Sequence, residues 1–190
     1  MNELVALSND VPISIEEKKE TEQEMKLIEP EKFENVKSVE VNSDDLEQLY
    51  SLAQEMVKFA HARGGVGLTL PQIGINKRAF VMLDKDDQWI MMVNPEYFGT
   101  GKKANVYERS LSYKGVYSVD RYKKINAVYY TLDVDKNDSL VLKKNYRLMS
   151  GLRAFVFQNL VNILDGKTGR VLGKEIIYKK EETPETVEEA

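Results

Sequence analysis

Few residues of this chain could do chemistry, and their types narrow that chemistry at once. There is no cysteine and a single histidine, His61, so thiolate ligands and disulfides are excluded and no two-histidine metal site can form. His61 falls late in a helical stretch, where a surface or half-buried structural role is expected of it. Ser110 could act as a nucleophile only beside a base, and the sequence places no histidine partner for it. Asp133, Asp135, Asn137 and Asp138 are spaced like the start of a calcium loop. The sixth position is Asp138 where glycine is needed, however, and the twelfth is Lys144 where a glutamate should close the shell. A hairpin turn accounts for them better. Asp84, Asp86 and Asp87 read as a solvated turn at the end of a strand.

The most distinctive stretch is Gly64-Gly65-Val66-Gly67-Leu68-Thr69-Leu70-Pro71-Gln72-Ile73-Gly74. Glycines this dense allow positive φ and close backbone approach, so something is expected to pass near this segment. A phosphate cradle is excluded because no Gly-Lys-Ser/Thr follows, and the dinucleotide spacing fails where the third glycine would be Leu70. A tight turn between a helix and a strand is the plain alternative.

The elements that must position these residues follow from periodicity. Ser43, Asp44 and Asp45 offer N-caps to a helix in which Leu46, Leu49, Ala53, Met56, Val57 and Ala60 recur at helical spacing up to Gly64-Gly65. Strand-like runs follow at 78–83, 89–93, 116–122, 125–134 and 139–146, the last two joined by a turn at Asp135-Lys136-Asn137-Asp138. A second helix over 151–164 is apolar almost all round and is expected to be central and buried. The whole predicts an α+β domain of antiparallel β-sheets packed around that helix.

A length of 190 residues with 42% hydrophobic and 31% charged side chains fits one domain with solvated segments. Residues 1–35 are expected to be a charged, partly ordered arm, 36–178 the folded domain, and 179–190 an acidic disordered tail. The net charge of −4 argues against a grip on nucleic acid. No run of apolar residues is long enough for a spanning helix, and the first residues lack the order of a signal peptide, so a cytoplasmic protein without membrane contacts is expected.

Three segments, in order, resemble the motifs of the peptide deformylases. Gly65, Gly67, Leu68 and Gln72 match that family's Gly-x-Gly-Leu-Ala-Ala-x-Gln, with Thr69-Leu70 in place of the two alanines. Glu108-Arg109-Ser110-Leu111-Ser112 stands where the family has Glu-Gly-Cys-Leu-Ser. Gln158-Asn159-Leu160-Val161-Asn162-Ile163 stands where it has Gln-His-Glu-x-Asp-His. The likeness spans roughly 46–165 and implies a peptide-deformylase-like fold.

In that family the cysteine and two histidines hold a divalent metal, and the glutamate between the histidines moves protons while an N-formyl group is hydrolysed. Here those positions are Ser110, Asn159, Ile163 and Leu160. The resemblance therefore implies a pseudoenzyme without metal, cofactor or catalytic residues, around a remnant pocket of Gly65, Gly67, Leu68, Gln72, Arg109, Ser110, Leu111, Gln158, Asn159, Leu160 and Ile163. The expected function is a non-enzymatic structural or assembly component that contacts protein partners, with a bacteriophage virion as one setting. A regulatory module that holds a peptide or an N-terminus in the remnant groove is the alternative, and an enzyme with a reassigned site the last. In the family the residues matching Gln72 and the Leu111 backbone N–H stabilise an oxyanion; here they are expected either to bind a peptide backbone without chemistry, or, for Gln72, to bond Gln158, Asn159 or backbone inside a filled pocket.

Overall fold

The computed structural model describes residues 25–177. Most of the expected arm, 1–24, and the expected acidic tail, 179–190, lie outside these residues. Helix α1 is Leu46–His61, followed by strands β1 Gly67–Thr69, β2 Ala79–Leu83, β3 Trp89–Glu108, β4 Tyr117–Val134 and β5 Leu140–Ser150. Helix α2, Leu152–Leu164, the short α3, Gly169–Leu172, and β6, Lys174–Glu175, complete the chain. The strands form one antiparallel sheet in the order β1-β2-β3-β4-β5, with β6 added to β4. This is the α+β class expected.

The sheet, and not the second helix alone, is the middle layer. Every residue of β2 from Ala79 to Met82 is buried, because successive side chains leave on opposite faces and both faces are covered. Ala79 and Val81 join Leu49, Ala53 and Met56 of α1 in one core, while Phe80 and Met82 join Phe157, Leu160 and Leu164 of α2 in another. Phe80 meets Phe157 edge to face with ring centroids 5.5 Å apart, a geometry favoured by the ring quadrupoles. The all-round apolarity of α2 has two causes. One side packs on the sheet, whereas Leu152 and Phe155 line a cavity, with Val156 touching both the cavity and the core.

The expected caps Ser43, Asp44 and Asp45 form a 3-10 turn that leads into α1, and the side-chain cap is one residue earlier, at Asn42. Asn42 accepts from the Asp44 N–H through its side chain, and its own N–H donates to the Asp45 carboxylate, a reciprocal cap that satisfies two otherwise orphan donors. The hairpin between β4 and β5 is as expected: the Asp135 carboxylate accepts from the N–H groups of Asn137 and Ser139, and Asp138 takes φ 57°.

Strand β3 runs far beyond the predicted 89–93, and β4 joins the two predicted runs 116–122 and 125–134 into one strand. The stretch from Asn94 to Lys103, with Pro95, Gly99 and Gly101, reads as punctuation, but in space it is bulged strand. Register against β4 slips between Val93 and Glu96 and again between Thr100 and Lys103, each slip inserting one residue and bending β3. Asn94, at φ 46°, uses its side chain to bond both the N–H and the carbonyl of Val41. Within the segment expected as an arm, Pro30 and Phe33 are buried, and the Ile28 N–H donates to the Gln72 carbonyl. Among the described residues no helix is long and apolar enough to cross a membrane.

Candidate functional site

A cleft of about 750 Å³ opens between the entry to β1, the end of β3 with its following loop, and one side of α2. Its walls are knitted by glycines that permit contact where a side chain would not fit. A Cβ on Gly65 would lie 2.8 Å from Leu111 Cδ1, and one on Gly67 would lie 2.6 Å from Leu160 Cδ1. The first motif therefore touches both of the others. Among the described residues β1 is the terminal strand of the sheet, paired only with β2, so its other edge can accept an added strand.

Gln72 sits on the turn after β1 and is buried. Its Oε1 accepts from the Thr69 backbone N–H at 3.0 Å and from Thr69 Oγ1 at 3.1 Å. These bonds fix which end of the amide faces the cleft, and Nε2 donates to Ser112 Oγ at 2.9 Å and to Ser110 Oγ at 3.3 Å. Ser110 Oγ also accepts from the Ser112 N–H at 3.2 Å. Of the expected partners of Gln72, backbone is met at the Thr69 N–H, while the two serines stand in place of Gln158 and Asn159. Thr69 and Ser112 complete this network and were absent from the expected pocket. Their signal was local: a hydroxyl three residues before Gln72, and a second hydroxyl two residues after Ser110.

Below this network Arg121 of β4 reaches Glu108. Arg121 Nε donates to Oε1 at 2.6 Å and Nη2 to Oε2 at 2.8 Å, and Nη1 binds Asn162 Oδ1 of α2. The side chains are only 3% and 8% exposed, so this bidentate, charge-assisted pair is buried. It holds the end of β3 in place ahead of Ser110.

Of the expected pocket residues, Gly65, Gly67, Gln72, Arg109, Ser110 and Leu111 line the cleft, as do Asn159, Leu160 and Ile163. Two do not. Leu68 is buried in the core beneath α1, and Gln158 turns away to bond the N–H and carbonyl of Tyr122. Arg109 is exposed at the rim and leaves the cleft open, and His61 is not among its walls.

The donors at the cleft floor do not fit a divalent metal. They are a serine hydroxyl engaged by Gln72 and Ser112, and Asn159 Oδ1, which is buried without a hydrogen-bond partner among the described residues. Position 163 contributes only an isoleucine. Two neutral oxygens lack the charge and softness of the imidazole, thiolate or carboxylate ligands such an ion prefers.

The comparisons with known proteins agree with this geometry. The polypeptide deformylase family profile matches residues 27–169. The peptide deformylase of Desulforudis audaxviator is 34% identical over 121 residues, which cover 63% of this chain and 73% of that protein. That of Dictyoglomus thermophilum is 35% identical over 121 residues, with the same coverage of 63% and 73%. The crystal structure of a peptide deformylase from Synechococcus elongatus in complex with actinonin superposes with a TM-score of 0.68 at 23% identity, covering 86% of each chain. The Plasmodium falciparum enzyme superposes with a TM-score of 0.66 at 22% identity, covering 78% of this chain and 86% of that one.

These likenesses correct the function expected from positions 110, 159, 160 and 163. Relatives 34% and 35% identical are named peptide deformylases, which supports a deformylase function in place of a pseudoenzyme serving as a structural protein in virion assembly. Nothing in them points to a bacteriophage, and the regulatory module is not favoured either. The physical ground for the error is visible in the cleft. Small and apolar replacements were expected to fill it, yet about 750 Å³ stays open with the Gln72 amide still at its wall. Three motifs far apart in sequence meet around one cleft, in the order and on the scaffold of known deformylases, and the chain belongs to the polypeptide deformylase family.

Proposed function

We propose that this protein acts as a deformylase on the amino-terminal end of polypeptides, with the cleft as its substrate site and the cytoplasm as its compartment. The observation that carries this is the fixed amide of Gln72. Thr69 holds Oε1, so Nε2 is a preoriented donor that can pass from Ser112 to the oxygen of a formyl group. Such a donor stabilises charge developing on that oxygen without reorganising as the reaction proceeds. The open edge of β1 suits an extended peptide backbone, since strand addition satisfies the main-chain groups of both partners. Leu111, Phe155 and Val156 give the cleft apolar walls for the first side chain. The names of the relatives at 34% and 35% identity support the same substrate class.

Ser110, Asn159, Leu160 and Ile163 have no group that could deprotonate an attacking water near neutral pH. Their contribution is to bind and orient the substrate. The test is calorimetric titration of a formyl-methionyl tripeptide into the full chain, with formate release followed in parallel. Saturable binding with formate release is expected. Binding without formate release would keep the substrate class and overturn the hydrolysis, and no binding would overturn both.

A further inference from the structure

A second cavity, of about 590 Å³, lies on the far side of the Arg121 ion pair, between the β3–β4 hairpin, the end of α2 and β6. Its size is that of a small-molecule site, and its charge is opposite to that of the chain. Lys103, Lys167 and Lys174 converge on it together with Arg121, although the protein as a whole carries a net charge of −4. The one carboxylate in its wall, Asp120, already accepts from Asn105 Nδ2 at 3.0 Å. None of the three lysines forms an ion pair with another described residue.

The fold builds this convergence deliberately from three elements. The bulge between Thr100 and Lys103, with Gly101 at φ 76°, restores Lys103 to a position opposite Tyr122, and its Nζ stands 4.8 Å over that ring. Without the extra residue Lys102 would take that register instead. Pairing of β6 with β4 sets Lys174 beside Ser118, and Lys167 follows directly on α2, its N–H held by the Asn162 carbonyl at 2.7 Å. Arg121, only 3% exposed, is locked by Glu108 and Asn162. Three of its five N–H groups are used there, which fixes the guanidinium in the wall of the cavity.

We propose that this cavity binds a small anion carrying a phosphate group. Three lysines without an ion pair among the described residues, with the Arg121 guanidinium and the Tyr97 hydroxyl around the same concavity, match the several acceptor oxygens and multiple charge of that group. The site is independent of the chemistry assigned to the deformylase cleft.

Inorganic pyrophosphate is the probe, titrated calorimetrically into the full chain at constant ionic strength. Saturable binding to one site is expected, weakened at least tenfold in K103A/K174A. These lysines are exposed, so the thermal midpoint of the double variant without pyrophosphate should match the unmodified protein. K102A, altered just outside the cavity, should bind within twofold of the unmodified protein. No binding, or equal affinity in the double variant, would overturn the site. A single-stranded oligonucleotide that binds more tightly than pyrophosphate and is lost in the same variant would overturn the assignment to a small anion.

Discussion

Gly67 and Leu160 are in such close contact that a Cβ on the glycine would lie 2.6 Å from Leu160 Cδ1, 3.1 Å from Cδ2 and 3.2 Å from the Val81 carbonyl oxygen. This contact seats α2 against β1 and sets the width of the cleft. Gly67→Ala should therefore destabilise the protein by about 1–3 kcal/mol, the range for overpacking a tight interior. Leu160→Ala should cost about 2–5 kcal/mol through the cavity it leaves. Because the two changes act on the same contact, the double variant should lose less than the sum of the singles in urea denaturation. Strict additivity would mean that the close approach does not constrain the fold.

Gln72 is predicted to affect stability and binding differently. Gln72→Ala leaves the buried Thr69 N–H without its acceptor, at a cost of about 1–3 kcal/mol. Gln72→Glu keeps that acceptor but removes the Nε2 donor facing Ser110 and Ser112. It should stay closer to the unmodified protein in thermal midpoint than the alanine variant, yet bind a formyl-methionyl tripeptide at least tenfold more weakly. A Gln72→Glu variant that binds the tripeptide unchanged would remove Gln72 from the substrate site.

The two long helices, α1 and α2, were legible from periodicity, and α2 closes on Leu164 as its pattern predicts. The meeting of the three motifs was legible from their order alone. The length of β3 was not, because Pro95, Gly99 and Gly101 are the same residues whether they end a strand or bulge it. Phe33 was hidden by the charges around it, although one buried aromatic outweighs several solvated neighbours in holding a segment down. Reasoning from Ser110, Asn159, Leu160 and Ile163 to a filled pocket failed for a related reason. Whether a cleft closes depends on how far α2 stands from the β3 end, and residue type says nothing about that distance.

Arg121 and Glu108, thirteen residues apart in sequence, meet only because β3 and β4 pair in their bulged register. Arg121→Met would leave a buried carboxylate unpaired and should cost about 3–5 kcal/mol. Adding Glu108→Leu should recover part of that loss by removing the stranded charge, even though Asn162 still lacks its partner. Denaturant unfolding of the two variants checks this. A double variant less stable than Arg121→Met would show that the pair is not the feature holding the end of β3.

Two half-buried tyrosines make the fold sensitive to alkaline pH. Burial raises the ionisation of Tyr113 above the ordinary tyrosine value, against a smaller opposing effect from the Gly169 N–H, with nearby Glu108 and Glu34 raising it further. Tyr97 is raised as well, again by burial first. A group whose pKa is higher folded than unfolded holds more protons in the native state, so its contribution is fully present below the unfolded value of about 10 and is lost as pH rises through the folded one. The thermal midpoint should accordingly be steady up to about pH 10 and fall above it, in step with phenolate absorbance. Tyr113→Phe has no proton to lose, so its midpoint should fall less steeply over that range. It should start lower, because the hydroxyl that accepts from the Gly169 N–H at 3.0 Å is gone. An equal slope in both proteins would show that Tyr113 ionises as it does in the unfolded chain.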